Sequence, residues 1–330
     1  MTKNQPSFSD IEHEGSRRTT RRTEFLEAMD EIIVWNEWVD LIRPFYYATG
    51  GRGRPARELE VMLRMYLLQV WYSLSDVGCE EACIDIYPMR SFLKLESANT
   101  QVPDATTLAN FRHMMEENKI DELLFSSLRT CLSEGGVMYR GGSILDATFI
   151  ESSASTKNAK GKRDEEMHQA KKGKNWHHGM KMHVAVDAGT GLIHSLTGTP
   201  ANVHDLDEAV NLIRDDDHTV YGDSGFTGIE KRPEIQNDDR LKNIDYRINR
   251  RKGSVKSDFD KQIEKRKSSV RSKVEHPFHI IKNIFGLRKT PYRGIRKNLV
   301  RLRMAALSAN LYMLMMANRR TDGTPLFDSA

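Results

Sequence analysis

The chain has 330 residues, a formal net charge of +4, 29% charged residues and 38% apolar ones, an ordinary globular composition with length for one large domain and a smaller one, or two of similar size. Residues 1–10 are polar and lack the apolar core of a secretory signal. The longest nearly apolar run, Met304 to Ala317, is interrupted by Ser308 and Asn310 and falls short of the ~20 residues that span a bilayer, so it predicts a buried helix, no membrane partner and a cytoplasmic location.

Three cysteines, Cys79, Cys83 and Cys131, imply no disulfide framework, and the first two read as core thiols rather than a zinc site. Charge is unevenly spread. From Arg250 to Arg303 there are 18 Lys/Arg against four Asp/Glu, a density that suits a polyanion as well as a solvated helix face.

In chain order, residues 1–23 form a basic arm with Arg17, Arg18, Arg21 and Arg22, expected to be disordered until it meets a partner. Residues 24–135 are expected to be all helical. Apolar spacing predicts helices over Glu24–Ile42, from Pro55 to about Tyr72, and over Ser75–Ile86, Asp104–Glu117 and Ile120–Leu132. Residues 136–320 change period. Gly142–Ile150 predicts a strand, Ser155–Lys174 a mobile basic loop, and Gly179–Val186 with Leu192–Thr199 a hairpin about its DAGTG turn. A helix over His204–Arg214, strands at His218–Asp223 and Asn243–Ile248, and a long helix from Ser257 complete an α/β domain with a mixed sheet. Residues 321–330 are expected to be a disordered tail.

Asp146 lies inside an apolar strand, where an ionised carboxylate needs a metal, a cation or hydrogen bonds. Asp223 stands where a strand hands over to a loop, the usual edge for ligands in α/β sheets, although a capping aspartate is equally at home there. On a helical wheel of about 100° per residue, Arg271, Glu275 and Lys282 share one stripe beside an apolar face of Ile263, Val270, Val274, Phe278, Ile281 and Phe285. Such a stripe can hold a carboxylate against a sheet and aim cations at a phosphate; its plainer alternative is a solvated Arg/Glu pair. Pro277 predicts a kink just after Glu275.

LDATFIESSASTKN (Leu145 to Asn158), GMKMHVAVDAGTGLIHS (Gly179 to Ser195), ANVHD (Ala201 to Asp205), GDSGFTGIEKRPE (Gly222 to Glu234) and RSKVEHPFHIIK (Arg271 to Lys282) together resemble the DDE transposases of bacterial insertion sequences, in the group typified by insertion sequence five. The likeness extends into the helical half through Arg54 to Asp76 and Pro103 to His113. It implies an RNase H-like fold, with Asp146, Asp223 and Glu275 as catalytic and metal-binding carboxylates for two Mg²⁺, with Mn²⁺ as a substitute, about 3.5 to 4 Å apart. The family pattern Tyr-x2-Arg-x3-Glu-x6-Lys fits Arg271, Glu275 and Lys282, but Ser268 stands in the Tyr position.

On this view Arg271 and Lys282 contact phosphate near the scissile bond, while Lys171, Lys172, Lys174, Arg288, Lys289, Arg293, Arg296 and Lys297 bind the DNA backbone. The expected partners are the terminal inverted repeats, target DNA and a second protomer. His177, His178 and His183 are structural or DNA-facing, and Trp176 packs in the core or stacks on an unpaired base. Two alternatives stay open. One is a catalytically silent DNA-binding descendant. The other is a haloacid-dehalogenase-like phosphatase, whose second Asp is replaced here by Thr148.

Overall fold

A computed structural model describes residues 19–46, 56–95, 100–138, 141–157, 161–251, 253 and 257–320. Most of the basic arm, the Gly50–Pro55 break and the tail lie outside the described residues, as does the side chain of Lys172. The chain divides after Ile120 into two compact units.

The first unit contains α1 (Arg21–Ile32), α2 (Trp35–Tyr46), α3 (Leu59–Trp71), α4 (Asp76–Asp85), α5 (Tyr87–Phe92) and α6 (Ala105–Glu117). Thr20, Ser75 and Asp104 cap their helices by accepting from the N–H three residues on. The single helix expected over Glu24–Ile42 is two. Ile33 turns extended, and the Trp35 indole closes the break by donating to the Asp30 carbonyl at 3.0 Å. The helix expected from Pro55 starts at Leu59, and α5, with proline in its first turn, was not foreseen.

Helix α3 is buried at every position but Glu60, and it carries Arg64 with no exposed surface. The guanidinium pairs with Asp30 and Glu60, both at 2.7 Å, donates to the Phe92 carbonyl at 3.0 Å, and lies 3.7 Å from the Trp35 ring centroid. One cation therefore ties α1, α3 and α5 together and satisfies charge that burial would otherwise penalise.

The second unit opens with α7 (Ile120–Glu134), which the helical period grouped with the first half. Its Asp121 pairs with Arg303, far along the chain. Then come β1 (Gly142–Glu151), β2 (His168–Lys172), β3 (Asn175–Asp187), β4 (Ile193–Pro200), α8 (Ala209–Leu212), β5 (Thr219–Gly222), α9 (Pro233–Gln236), β6 (Asp245–Ile248), α10 (Asp258–Arg271), α11 (Glu275–His279) and α12 (Ile295–Arg320). The sheet runs β2-β3-β1-β5-β6, with β4 also on β3. Strand β1 is antiparallel to β3 and parallel to β5, and β5 is parallel to β6. This mixed α/β sheet after a helical region is consistent with the RNase H-like fold expected.

Leu145, Ala185, Leu212, Val220, Phe226 and Ile235 form a core on one face of the sheet. Alternation along β1 sends Asp146 and Thr148 to the other face. The loop expected at Ser155–Lys174 ends in a strand: β2 pairs with β3 from Lys172↔Asn175 to His168↔Gly179. Gly173, at φ +63°, makes the tight turn that sets this register. Its charged residues hid the strand because they need no apolar face.

The apolar run Met304–Ala317 belongs to a 26-residue helix. Its length and composition would suffice to cross a membrane, yet 72% of its most apolar stretch is buried in the protein. Asn310, which interrupts the run, bonds to both the N–H (2.8 Å) and the carbonyl (2.7 Å) of Ile193 and so fastens the helix to β4.

Replacing Arg64 with alanine strands Asp30 and Glu60 without their shared partner, and is expected to cost about 3 to 5 kcal/mol. Urea denaturation followed by circular dichroism measures it; a midpoint equal to that of the parent protein contradicts the role given to Arg64.

Candidate active site

Strand β1 pairs with β3 along Ser143–Glu151 and with β5 over Gly142–Ile144, so Asp146 stands opposite Val184 of β3, just past the last residue paired with β5. The carboxylate is 16% exposed. Its Oδ1 accepts from the Ala147 N–H at 2.8 Å, and its Oδ2 faces the Arg271 guanidinium at 3.4 Å. The helix that bears Arg271 thus meets the strand that bears Asp146, as the stripe of charged residues predicts.

Strand β5 stops at Gly222, and Asp223 caps the 3₁₀ turn Ser224–Phe226. Its Oδ1 accepts from the Gly225 N–H at 2.7 Å, and a Cβ at position 225 would meet that oxygen at 2.8 Å. The capping role weighed for Asp223 is therefore real, and it locks one carboxylate oxygen while leaving the other for a ligand.

Glu275 opens α11. The long helix expected from Ser257 breaks before Glu275 rather than after it: a 3₁₀ turn spans Ser272–Val274, and a π turn spans Ile280–Ile284. Pro277 cannot donate a backbone hydrogen bond, and these altered turns flank it. A uniform wheel fails across such a segment. Ile263, assigned to the buried face, is exposed, and α10 has no buried side chain.

Asp146 has its pKa pushed up to about 6. Burial is the main cause; the negative charges of Asp223 and Glu275 add to it, against the Ala147 hydrogen bond and the positive charge of Arg271. Asp146 therefore feels the charges of Asp223, from the neighbouring strand end, and of Glu275, from the late helix. Among the described residues, however, no group of three His, Cys, Asp or Glu side chains is gathered as a finished metal cage. Arg271 is the cation that faces Asp146.

A groove of about 410 Å³ runs beside β1, lined by Thr148, Phe149, Glu151, His177, Lys282 and Arg288, among others. Thr148 lies two residues from Asp146, on the same strand face, so Lys282 is brought to the neighbourhood its spacing suggests. Arg288 joins it because residues 288–290 run beside the end of β1: Glu151 N–H donates to the Arg288 carbonyl, and Thr290 N–H to the Glu151 carbonyl. The groove residues Thr148, Phe149 and His177 were not singled out as site residues from sequence; a polar strand position two residues after Asp146 was the available signal.

The remaining cations are dispersed. Lys171 and Lys174 are exposed at the β2–β3 turn, and Lys289 is exposed beside Glu151. Arg293 donates to the Lys162 carbonyl at 2.6 Å, while Arg296 and Lys297 are exposed in the first turn of α12. Trp176 is 66% exposed, which removes its core-packing alternative. His177 stacks on Phe149 and meets Glu151, whereas His183 is buried against Thr199.

Ser143, His194 and Asp217 also meet, but all three are buried in the core. Ser143 donates to Asp217 at 2.5 Å, and burial keeps His194 neutral, so its Nε2–H donates to the serine oxygen. With the serine as the middle member and closed to solvent, this network is a structural tie, not a nucleophile.

The sign for Asp146 is that of a carboxylate raised on folding: its contribution to stability diminishes as pH rises through about 6. In metal-free protein, Asp146→Asn is expected to add at most about 3 kcal/mol of stability at pH 8, seen as a higher melting temperature, with no gain below about pH 4. Thermal melts in a chelator check this, and a variant less stable than the parent at pH 8 would show that Arg271 already compensates the charge.

Residues 140–311, more than half of the chain, match the family model described as Transposase DDE domain. Residues 13–114 match the model described as Transposase domain (DUF772). No solved structure matches the chain. A central-strand aspartate, an aspartate at the end of the neighbouring parallel strand and a glutamate on the late helix now stand inside that matched span, and the chain belongs to the DDE transposase family.

Proposed function

We propose that the protein cuts and joins DNA at the ends of an insertion sequence of the group typified by insertion sequence five, with Asp146, Asp223 and Glu275 as its catalytic carboxylates. The observation that carries this is the electrostatic strain on Asp146, a buried acid beside two more acids with one guanidinium in attendance. Such a set of hard oxygens fits a divalent cation, Mg²⁺ or Mn²⁺. When bound there, two such ions supply an activated oxygen nucleophile and stabilise the leaving oxygen of an in-line displacement.

The residues of the chain prepare that chemistry. The Ala147 and Gly225 N–H groups each hold one oxygen of Asp146 and Asp223, which fixes the carboxylate planes; with Glu275, their second oxygens would hold the cation, that of Asp146 facing Arg271 without it. Arg271 faces and offsets the charge of Asp146, and its fork of donors is also suited to donate to the oxygens of a phosphate. Lys282 and Arg288 line the groove along β1 and hold the DNA strand next to the cut. Lys171, Lys172, Lys174, Lys289, Arg293, Arg296 and Lys297 are further contacts to the DNA backbone. The helical half recognises the terminal repeats and pairs two protomers, as its match to a transposase domain supports.

The test uses a plasmid carrying the DNA that flanks this reading frame, with Mg²⁺ and with Mn²⁺. Asp146→Asn, Asp223→Asn and Glu275→Gln are each expected to lower strand cleavage by about 1,000-fold or more, since several kcal/mol of transition-state charge stabilisation is lost, while DNA binding persists. Cleavage by Asp146→Asn at the parent rate would sink the assignment. A parent protein that binds the ends but cuts under neither metal would instead be the silent descendant.

A further inference from the structure

Helix α10 carries Arg271 and leads into Glu275, yet it has no buried side chain. Apolar packing therefore does not set its rotation, and a turn of error would carry both residues away from β1. The polar contacts at its middle fall on the end of β6 and the two residues beyond it, Asn249 and Arg250. Asn249 donates its backbone N–H to the carbonyl of Gly222, the residue before Asp223, at 3.0 Å. Its side-chain Nδ2 donates to Glu264 Oε2 at 2.9 Å and to Ser268 Oγ at 3.2 Å. Glu264 also accepts from the Arg250 N–H at 2.9 Å, and Lys267 bridges Glu264 to the Ile248 carbonyl, both at 3.1 Å.

We propose that Asn249 is a positioning residue, which sets the placement of Arg271 and Glu275 relative to Asp223 by clamping the end of β6 to the polar face of α10. This rests on the assignment of the three carboxylates above. Ser268 lies three residues before Arg271, one turn away on the same regular helix, so the clamp acts on the part of α10 that meets Asp146. Ser268 occupies the position where the family pattern has Tyr. A short hydroxyl there lets the asparagine amide reach the helix, and the clamp supplies through hydrogen bonds what a ring does not supply in this chain.

Asn249→Asp keeps the shape but replaces the two amide donors with oxygens facing Glu264. The double variant Asn249→Asp with Glu264→Gln reverses the pair, with the glutamine amide as donor. Three readouts on full-length protein decide: Mn²⁺ titration by electron paramagnetic resonance, amide hydrogen exchange over residues 258–275, and cleavage of the flanking-DNA plasmid. The single variant is expected to weaken Mn²⁺ binding and cleavage by about 10- to 100-fold and to speed exchange in this helix, and the double variant to recover most of each.

Parent-like Mn²⁺ affinity in Asn249→Asp overturns the proposal, provided that Asp146→Asn abolishes Mn²⁺ binding in the same assay. Equal loss in single and double variants overturns it too, by showing a fold defect and not a clamp. If Asp146→Asn binds Mn²⁺ like the parent, the carboxylate assignment fails, and this proposal falls with it.

Discussion

Strand β1 runs antiparallel to β3 along most of its length and parallel to β5 at its start, and in its middle, just past the β5 pairing, sits a carboxylate. That burial constrains much of what surrounds it. An isolated charge there would cost several kcal/mol, so something must face Asp146, and what faces it is Arg271, from a helix more than a hundred residues later. The late helix is drawn to the sheet by polar contacts: Arg271 to Asp146, Lys273 to the carbonyls of Ala188 and Gly189, and Glu264 and Lys267 to the end of β6. Its apolar residues begin to count only at Val274, where burial resumes and Phe278, Ile280 and Ile281 seat the remainder.

The change from polar to apolar attachment coincides with the irregular backbone. A 3₁₀ turn tightens the chain before Glu275, and a π turn loosens it after His279, so Glu275 sits between two changes of helical pitch. Pro277 makes a regular helix there costly, and the local irregularity allows Glu275 to remain exposed at the site while Pro277 and Phe278 are buried. At the opposite end of β1, the buried Ser143, His194, Asp217 and Arg214 network holds the start of the strand; Arg214 reaches Asp217 at 3.0 Å and the Gly142 carbonyl at 3.1 Å. A central strand pinned at its start by hydrogen bonds leaves little freedom for Asp146.

Periodicity revealed most of the elements in this sequence because their burial is one-sided or complete. The apolar run of β1, the turn before β4, the helix starts at Ser75, Asp104 and Ser257, and the candidate carboxylates Asp146, Asp223 and Glu275 were all legible from residue type and spacing. What escaped had a physical reason in each case. Strand β2 is polar, and its order comes from pairing with β3. Helix α10 binds through carboxylate, amide and ammonium groups, so a hydrophobic wheel assigns Ile263 to a buried face it does not occupy. The break at Ile33 depends on a tryptophan reaching back to a carbonyl.

By itself, then, the sequence determined the class of the fold and the order of most strands and helices in the second half, and it singled out three candidate acids, one sharing a helical stripe with a cation, because local pattern and residue chemistry carry that information. Only the tertiary structure decided that Arg271 faces Asp146, that Asp223 spends one oxygen on the Gly225 turn, and that Asn249 joins the strand end to the late helix. Those contacts link residues up to 125 positions apart. Their geometry depends on strand pairing, helix rotation and altered helical pitch, none of which has a period that can be read along the chain.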